Sequence, residues 1–287
     1  MIPTWNWVKK VQRKTNSNLP VFSVILFMQQ KTVIIVVGPT AVGKTAMSVK
    51  LAQHFGTEII SADSRQCFRE LDIGVAKPTE EEMEGIPHHF INSHSVEETV
   101  SAATFEHYAL QALKEVFRRH DTVLVTGGTG LYVRALTEGF DTIPAVPESI
   151  RHTVRGLYKE GGVEALSAAL VKEDPVYAAE GEMQNPQRMM RALEVVRSTG
   201  QSIRAFQISS MAHREFRVFQ IGLNMPREQL YERINRRVDE MLNKGLLDEV
   251  KRLYHLRHLN ALQTVGYREL FGYLEGQCSL EYAVEKI

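Results

Sequence analysis

From Thr32 onward, short apolar runs alternate with longer stretches in which apolar residues recur every three or four positions. TVIIVV at Thr32–Val37 is apolar after its first residue, the pattern of a strand covered on both faces. Lys44 to His54 repeats at helical spacing, and Gly56 stands where such a helix stops. Thr57 to Ala62 predicts a second strand, which delivers Asp63 and Ser64 at its carboxyl end. A short third strand is predicted in HHFINSH, near Phe90. SAATFEHYALQALKEVFRR predicts a long amphipathic helix with Ser101 as its N-cap, and DTVLVTGGTGLYVRALTEG reads as strand, turn and helix. This order predicts an α/β fold: a mostly parallel sheet with helices on both faces. Ligands of such sheets bind beyond the carboxyl ends of the strands. The Gly38–Thr45 loop, Asp63 and the turn around Thr129 all fall there.

Beyond Phe140 the texture changes. DTIPAVPES is rich in proline, and Ile150 to about Phe206 carries helical periodicity throughout. Strand character returns at Phe216 to Leu223, followed by helices over Arg227 to Lys244 and Leu246 to about Leu256. The helical stretch therefore reads as an insertion. Residues 28–139 and 207–287 are expected to form a phosphate-loop core, and residues 140–206 a helical domain. Residues 1–27 contain NLPVFSVILFM, too short to span a bilayer and with no small-residue cleavage site after it. They are expected to be a leader or an over-called start.

The clearest chemistry lies between the first strand and the first helix. GPTAVGKT, residues Gly38, Pro39, Thr40, Ala41, Val42, Gly43, Lys44 and Thr45, satisfies G-x-x-x-x-G-K-[ST]. In such a loop the backbone N–H groups converge on a phosphate and the helix adds its positive end. Lys44 reaches phosphate oxygens, and the Thr45 hydroxyl is placed to ligate Mg²⁺. A triphosphatase of this fold should also show an apolar strand ending in Asp. The candidate here, TVLVTGG, ends in Thr126 and two glycines, which counts against energy-coupled hydrolysis. Asp63 ends the second strand instead. A lone Asp after a strand is commonly a cap, but beside a phosphate loop it is also placed to engage an acceptor. An ATP-using kinase stays open on these residues; a purely RNA-binding module has no use for the loop.

Composition narrows the class without naming a substrate. Hydrophobic residues make up 44% and charged residues 24% of 287, as in a soluble globular protein. Lys+Arg and Asp+Glu both number 34, which argues against attachment to nucleic acid or membrane by bulk charge and leaves room for a local basic channel. Cys67 and Cys278 are the only cysteines, too few for a metal knuckle or a disulfide framework. A reducing compartment, the cytoplasm, is expected.

GPTAVGKT, ISADSRQ, DIGVAKPT, TGGTGLYVRAL, NPQRMMRALEV and QTVGYREL, in that order, resemble the successive signatures of the tRNA dimethylallyltransferase (IPP transferase) family. The likeness covers nearly all of the chain from about Thr32. It implies transfer of a dimethylallyl group from dimethylallyl diphosphate to N6 of adenosine 37 in the tRNA anticodon loop. The loop would then hold the donor's diphosphate. Asp63 would be the general base, with Lys44, Mg²⁺ on Thr45 and Arg237 stabilising the leaving group. Thr129 matches a family threonine beside the target base, its alternative role being a turn hydroxyl that caps the next helix. Asp63, Ser64, Arg65 and Gln66 match the family's acceptor segment. Arg151, the helix start Gln187, Arg188, Met189, Met190 and Arg191, and the stretch Gln263, Thr264, Val265, Gly266, Tyr267 and Arg268 match its tRNA contacts. Asn185 is predicted to cap that helix start and Pro186 to begin it. The resemblance implies tRNA and dimethylallyl diphosphate as partners, no membrane, and a monomer. The family's pattern continues past Ile287 into a basic, aromatic segment, so part of the RNA-binding charge is expected outside this sequence. Gln263 stands where some relatives carry a basic residue, and a zinc-finger extension of the eukaryotic type is not found. The nearest rival shares the scaffold: an isopentenyltransferase acting on free adenine nucleotides.

Overall fold

Val33, Ile35, Val123, Val125 and Ile60 point to one side of a sheet and Ile34, Val36, Leu124 and Ile59 to the other, and all are buried. Burial on both faces is what near-continuous apolar strands require, and it makes the sheet parallel and helix-covered. The computed structural model describes residues 31–139, 143–207 and 212–287. The expected leader at residues 1–27 lies outside them. Five strands, β1 (Thr32–Val37), β2 (Ile59–Ser61), β3 (His88–His89), β4 (Thr122–Thr126) and β5 (Arg217–Gly222), run in the order β3-β2-β4-β1-β5. All pairings are parallel, with Val36 opposite Thr126 and Ser61 also opposite Thr126. The carboxyl ends of β1, β2 and β4 therefore come together.

The chain divides into two compact units, Met1–Glu138 with His213–Ile287, and Gly139–Ala212. In the first, the Lys44–Phe55 helix packs Val49 and Ala52 on one sheet face. The Ala102–Val116 helix packs Phe105, Ala109 and Leu113 on the other. Ser101 caps that helix, its hydroxyl accepting from the Thr104 N–H, as predicted. The second strand is shorter than expected: Thr57, Glu58 and Ala62 flank β2 without belonging to it. The second unit is helical, over Glu148–Glu173, Pro175–Glu180, Pro186–Thr199 and Ile203–Phe206. The long helix is kinked at Gly162, whose φ of 65° ends one helical segment and starts another. Leu166, Leu170, Met189, Ala192, Leu193 and Val195 form a separate core there.

Glu58 stands just before β2, almost wholly buried, and is held from two sides. His89 Nε2 lies 2.6 Å from its Oε2, and Arg119 donates to its Oε1 at 2.6 Å. Burial pushes its pKa up, but the hydrogen bonds of Arg119 and His89 outweigh that and the net shift is downward. A depressed native pKa gives stability that is present above the unfolded value and lost as pH falls through the native one. Arg119→Ala is therefore expected to lower Tm at pH 7, with the gap from wild type closing below the ordinary carboxylate range. Thermal unfolding at pH 7 and pH 3 checks this. An equal gap at both pH values would place the loss in packing.

Candidate active site

The phosphate loop is shaped by two glycines. A Cβ on Gly38 would lie 2.7 Å from the Leu223 carbonyl oxygen, so only glycine lets the loop leave β1 so close to β5. Gly43 adopts φ 99° at the head of the Lys44–Phe55 helix, a region L side chains avoid. Ala41 is also left-handed at φ 63°, a conformation that costs a non-glycine residue roughly 1 kcal/mol or more. Lys44 Nζ donates to the carbonyls of Gly38 at 3.0 Å and Pro39 at 2.9 Å, which keeps its ammonium over the loop.

Asp63 follows β2 and faces this loop. Its Oδ1 accepts from the Arg65 N–H at 2.9 Å and the Gln66 N–H at 3.3 Å, so it caps a turn, while Oδ2 takes no part in that turn. Thr129 brackets it. The Thr129 N–H donates to Ala62 O at 3.3 Å, and its Oγ1 accepts from the Ser64 N–H at 3.2 Å. The Thr129 hydroxyl thus staples the ends of β2 and β4, while its carbonyl accepts from the Tyr132 N–H at 2.9 Å and the Val133 N–H at 3.2 Å in the first turn of the following helix. Gly127 permits the approach, because a Cβ there would lie 2.2 Å from the Ala62 oxygen.

Three charges converge at this end of the sheet. Burial lowers the pKa of Lys44 most, the charge of Asp63 raises it, and that of Arg237 lowers it further. Arg237, half-buried on the Arg227–Asn243 helix, is likewise lowered by burial and raised by Asp63, Glu82 and Glu240. A cavity of about 340 Å³ opens beside the loop, lined by Val37, Gly38, Gly127, Gly128, Arg134 and Gln220 among others.

The residues also bear on a metal. Among the described residues no group of three or more His, Cys, Asp or Glu could hold an ion. Thr45 lies in the first turn of the helix after the loop, and the buried hydroxyls of Ser48 and Thr126 lack a protein partner. Mg²⁺ keeps several waters and takes few protein oxygens, the remainder coming from substrate phosphate. The Thr45 hydroxyl at the head of the helix is an oxygen of the kind that fits it.

Other expected residues are distributed as follows. Arg65 donates to Asn260 O at 2.9 Å, tying the acceptor segment to a short 3₁₀ turn that the sequence did not single out. Gln263, Val265 and Arg268 are exposed and Thr264 is half-buried. Tyr267 is fully buried and Gly266 is also inside, so the expectation that they touch RNA is corrected for the Tyr267 side chain. In the helical unit, Asn185 Oδ1 accepts from Gln187 N–H at 3.1 Å and Arg188 N–H at 3.3 Å, capping the helix that Pro186 begins. Gln187 and Arg188 are exposed there. Met189 and Met190 are buried in that unit's core, so their side chains are corrected too: helical periodicity turns them inward. Arg188 pairs with Glu182, Arg191 with Glu194 at 3.5 Å and Arg151 with Glu148 at 3.7 Å.

A glycine-bounded loop carrying Lys44 on a parallel sheet, with the Asp63 carboxylate and the Arg237 cation beside it, defines an α/β protein with a site suited to an anionic group next to an acidic side chain. The model of the family described as IPP transferase matches residues 66–287. The tRNA dimethylallyltransferase of Cytophaga hutchinsonii is 48% identical over 246 residues, covering 86% of this chain and 81% of that protein. A Bacteroides thetaiotaomicron relative of the same name is 44% identical, covering 89% and 83%. Among solved structures, the tRNA isopentenylpyrophosphate transferase of Bacillus halodurans aligns with a TM-score of 0.64 at 41% identity, covering 90% of this chain and 82% of that one. A eukaryotic dimethylallyltransferase acting on tRNA aligns at 0.73 with 28% identity, covering 89% and 65%. The chain belongs to the IPP transferase family.

Proposed function

We propose that this enzyme transfers the dimethylallyl group of dimethylallyl diphosphate to N6 of adenosine 37 in tRNA, releasing diphosphate. The observation that carries the assignment of roles is the convergence of Asp63 with Lys44 and Arg237 at the phosphate loop. The exocyclic N6 of adenine is a weak nucleophile because its lone pair is delocalised into the ring. Asp63, oriented by its turn and by Thr129, takes the N6 proton as the N6–C1 bond forms. The C1–O bond breaks and its electron pair leaves with the diphosphate. Loop N–H groups, Lys44 and Arg237 meet that charge where it develops. Mg²⁺, held by Thr45, would supply further neutralisation of the diphosphate when bound.

Gln187, Arg188, Arg191 and Arg151, with Gln263, Thr264, Val265 and Arg268, would position the anticodon stem-loop by its phosphates, while the adenine turns out of its stack toward Asp63. Each of these helical-unit arginines already has a carboxylate partner, so RNA binding exchanges one anion for another. Arg188→Ala is expected to weaken tRNA binding and to reduce the slope of log K against log salt by about 1. Fluorescence titration of an anticodon stem-loop at several salt concentrations reads the slope. An unchanged slope would remove Arg188 from the phosphate contacts.

Among the described residues no helix is long and apolar enough to cross a membrane, and both cysteines are free. We place the enzyme in the cytoplasm as a monomer. Incubation with labelled donor and Mg²⁺, offering either tRNA or AMP, tests the acceptor. Label in tRNA alone supports the assignment; label in AMP alone transfers it to the free-nucleotide enzymes.

A further inference from the structure

Glu249 is 1% exposed, on the Leu246–Leu253 helix, and its carboxylate meets three neutral donors. Oε2 accepts from the Ile73 N–H at 2.8 Å, and Oε1 accepts from the Gly74 N–H at 3.0 Å and from the Tyr267 hydroxyl. Burying a carboxylate is costly unless its oxygens are satisfied, and here all three bonds go to one loop and one fully buried ring. Gly74 makes this possible, since a Cβ there would sit 2.5 Å from the Tyr267 ring. The clamp thus joins two separate motifs, DIGVAKPT and QTVGYREL, through a residue that belongs to neither.

The clamped loop leads to the candidate base. Gln66 Nε2 donates to the carbonyls of Val75 at 3.3 Å and Ala76 at 3.1 Å, and its Oε1 accepts from Ser61 Oγ at 3.3 Å. The Gln66 N–H in turn donates to Asp63 Oδ1. Lys77 fixes the far end of the loop, donating to Phe68 O at 2.9 Å and Asn92 Oδ1 at 2.6 Å. Ala76 is held at φ 44°, a left-handed conformation that needs such support.

We propose that Glu249 is a positioning residue for prenyl transfer: by anchoring Ile73 and Gly74 it fixes the loop on which Gln66, and through it Asp63, is oriented. This rests on the reading of Asp63 as the base. Every partner of Glu249 is a donor, so Glu249→Gln, nearly the same size, sets an amide NH₂ against a backbone N–H. Misplacement of about 1 Å in a reacting group can cost on the order of 10²-fold in rate.

The test measures kcat at saturating tRNA, the affinity for inorganic diphosphate with Mg²⁺, and amide exchange at Ile73 and Gly74. Glu249→Gln is expected to lower kcat roughly 10-fold to 10²-fold, to leave diphosphate affinity within about twofold, and to expose both amides to exchange. Unchanged kcat in the folded variant overturns the proposal, as does a parallel loss of diphosphate affinity, which would mark a general structural role. If Glu249→Gln does not fold, Tyr267→Phe, which keeps the ring, decides: a few-fold loss confined to kcat supports the proposal and no loss overturns it. Wild-type enzyme that failed to prenylate tRNA would refute the functional reading instead. The exchange at Ile73 and Gly74 would still report on the clamp.

Discussion

Asp63→Asn is expected to lower tRNA prenylation by about 10²- to 10⁴-fold while Tm stays close to wild type. The side chain caps a turn and is proposed as the base, and this substitution separates the two. As a cap, Oδ1 accepts from the Arg65 and Gln66 N–H groups, and an asparagine carbonyl can do the same. As a base, the carboxylate must accept a proton from N6, which an amide cannot do. Asp63→Ala would remove both and confuse a disordered turn with lost chemistry. Single-turnover prenylation with saturating donor and tRNA reads the chemical step, and calorimetry reads the fold. Near-normal turnover in Asp63→Asn would remove Asp63 as the base.

Lys44→Ala is expected to reduce kcat/KM for the donor by roughly 10²- to 10³-fold, the scale on which a preorganised partner of developing charge acts. Lys44 is lodged over the loop carbonyls of Gly38 and Pro39, and burial works against its charge while Asp63 supports it. A leaving diphosphate would supply far more negative charge than Asp63 does. The loss should therefore appear in the affinity for inorganic diphosphate and in kcat. tRNA affinity measured without donor should be little changed. Unchanged diphosphate binding would contradict the role given to the loop.

Much of the fold was legible because its signals are local. The uninterrupted apolar character of β1 and β4 announces strands buried on both faces, and GPTAVGKT, Gly56 and Ser101 mark helix boundaries that the structure reproduces within a residue. The helical stretch was legible as helix, with an internal start at Asn185 and Pro186, but the kink at Gly162 and the break at Asp174 were not, because conformation and capping make them inside an unbroken periodic pattern. The loop and Asp63 could be found from motif and position alone. The Thr129 staple could not, since it joins residues that only the β2–β4 pairing brings together.

Motif membership also blurred contact with support. Met189, Met190 and Tyr267 sit inside segments that carry exposed polar residues, yet their side chains face cores. The helical period gives the distinction for the methionines, which lie on the same inward side as Leu193. Glu249 is marked in the pattern itself: in LLDEVKRL it occupies the apolar phase with Leu246, Val250 and Leu253, all buried. An acidic residue on the buried side of an amphipathic helix announces a partner without saying which.

In the proposed reaction the glycine-bounded loop grips the donor's diphosphate with the acceptor amine on the side of Asp63. A crystal structure with dimethylallyl thiolodiphosphate, Mg²⁺ and an anticodon stem-loop tests it most directly. Diphosphate oxygens are expected within hydrogen-bond distance of Lys44 and the Thr40–Thr45 N–H groups, and the extruded adenine N6 next to Asp63 Oδ2. Diphosphate seated away from Lys44, or an adenine with no contact to Asp63, would contradict it.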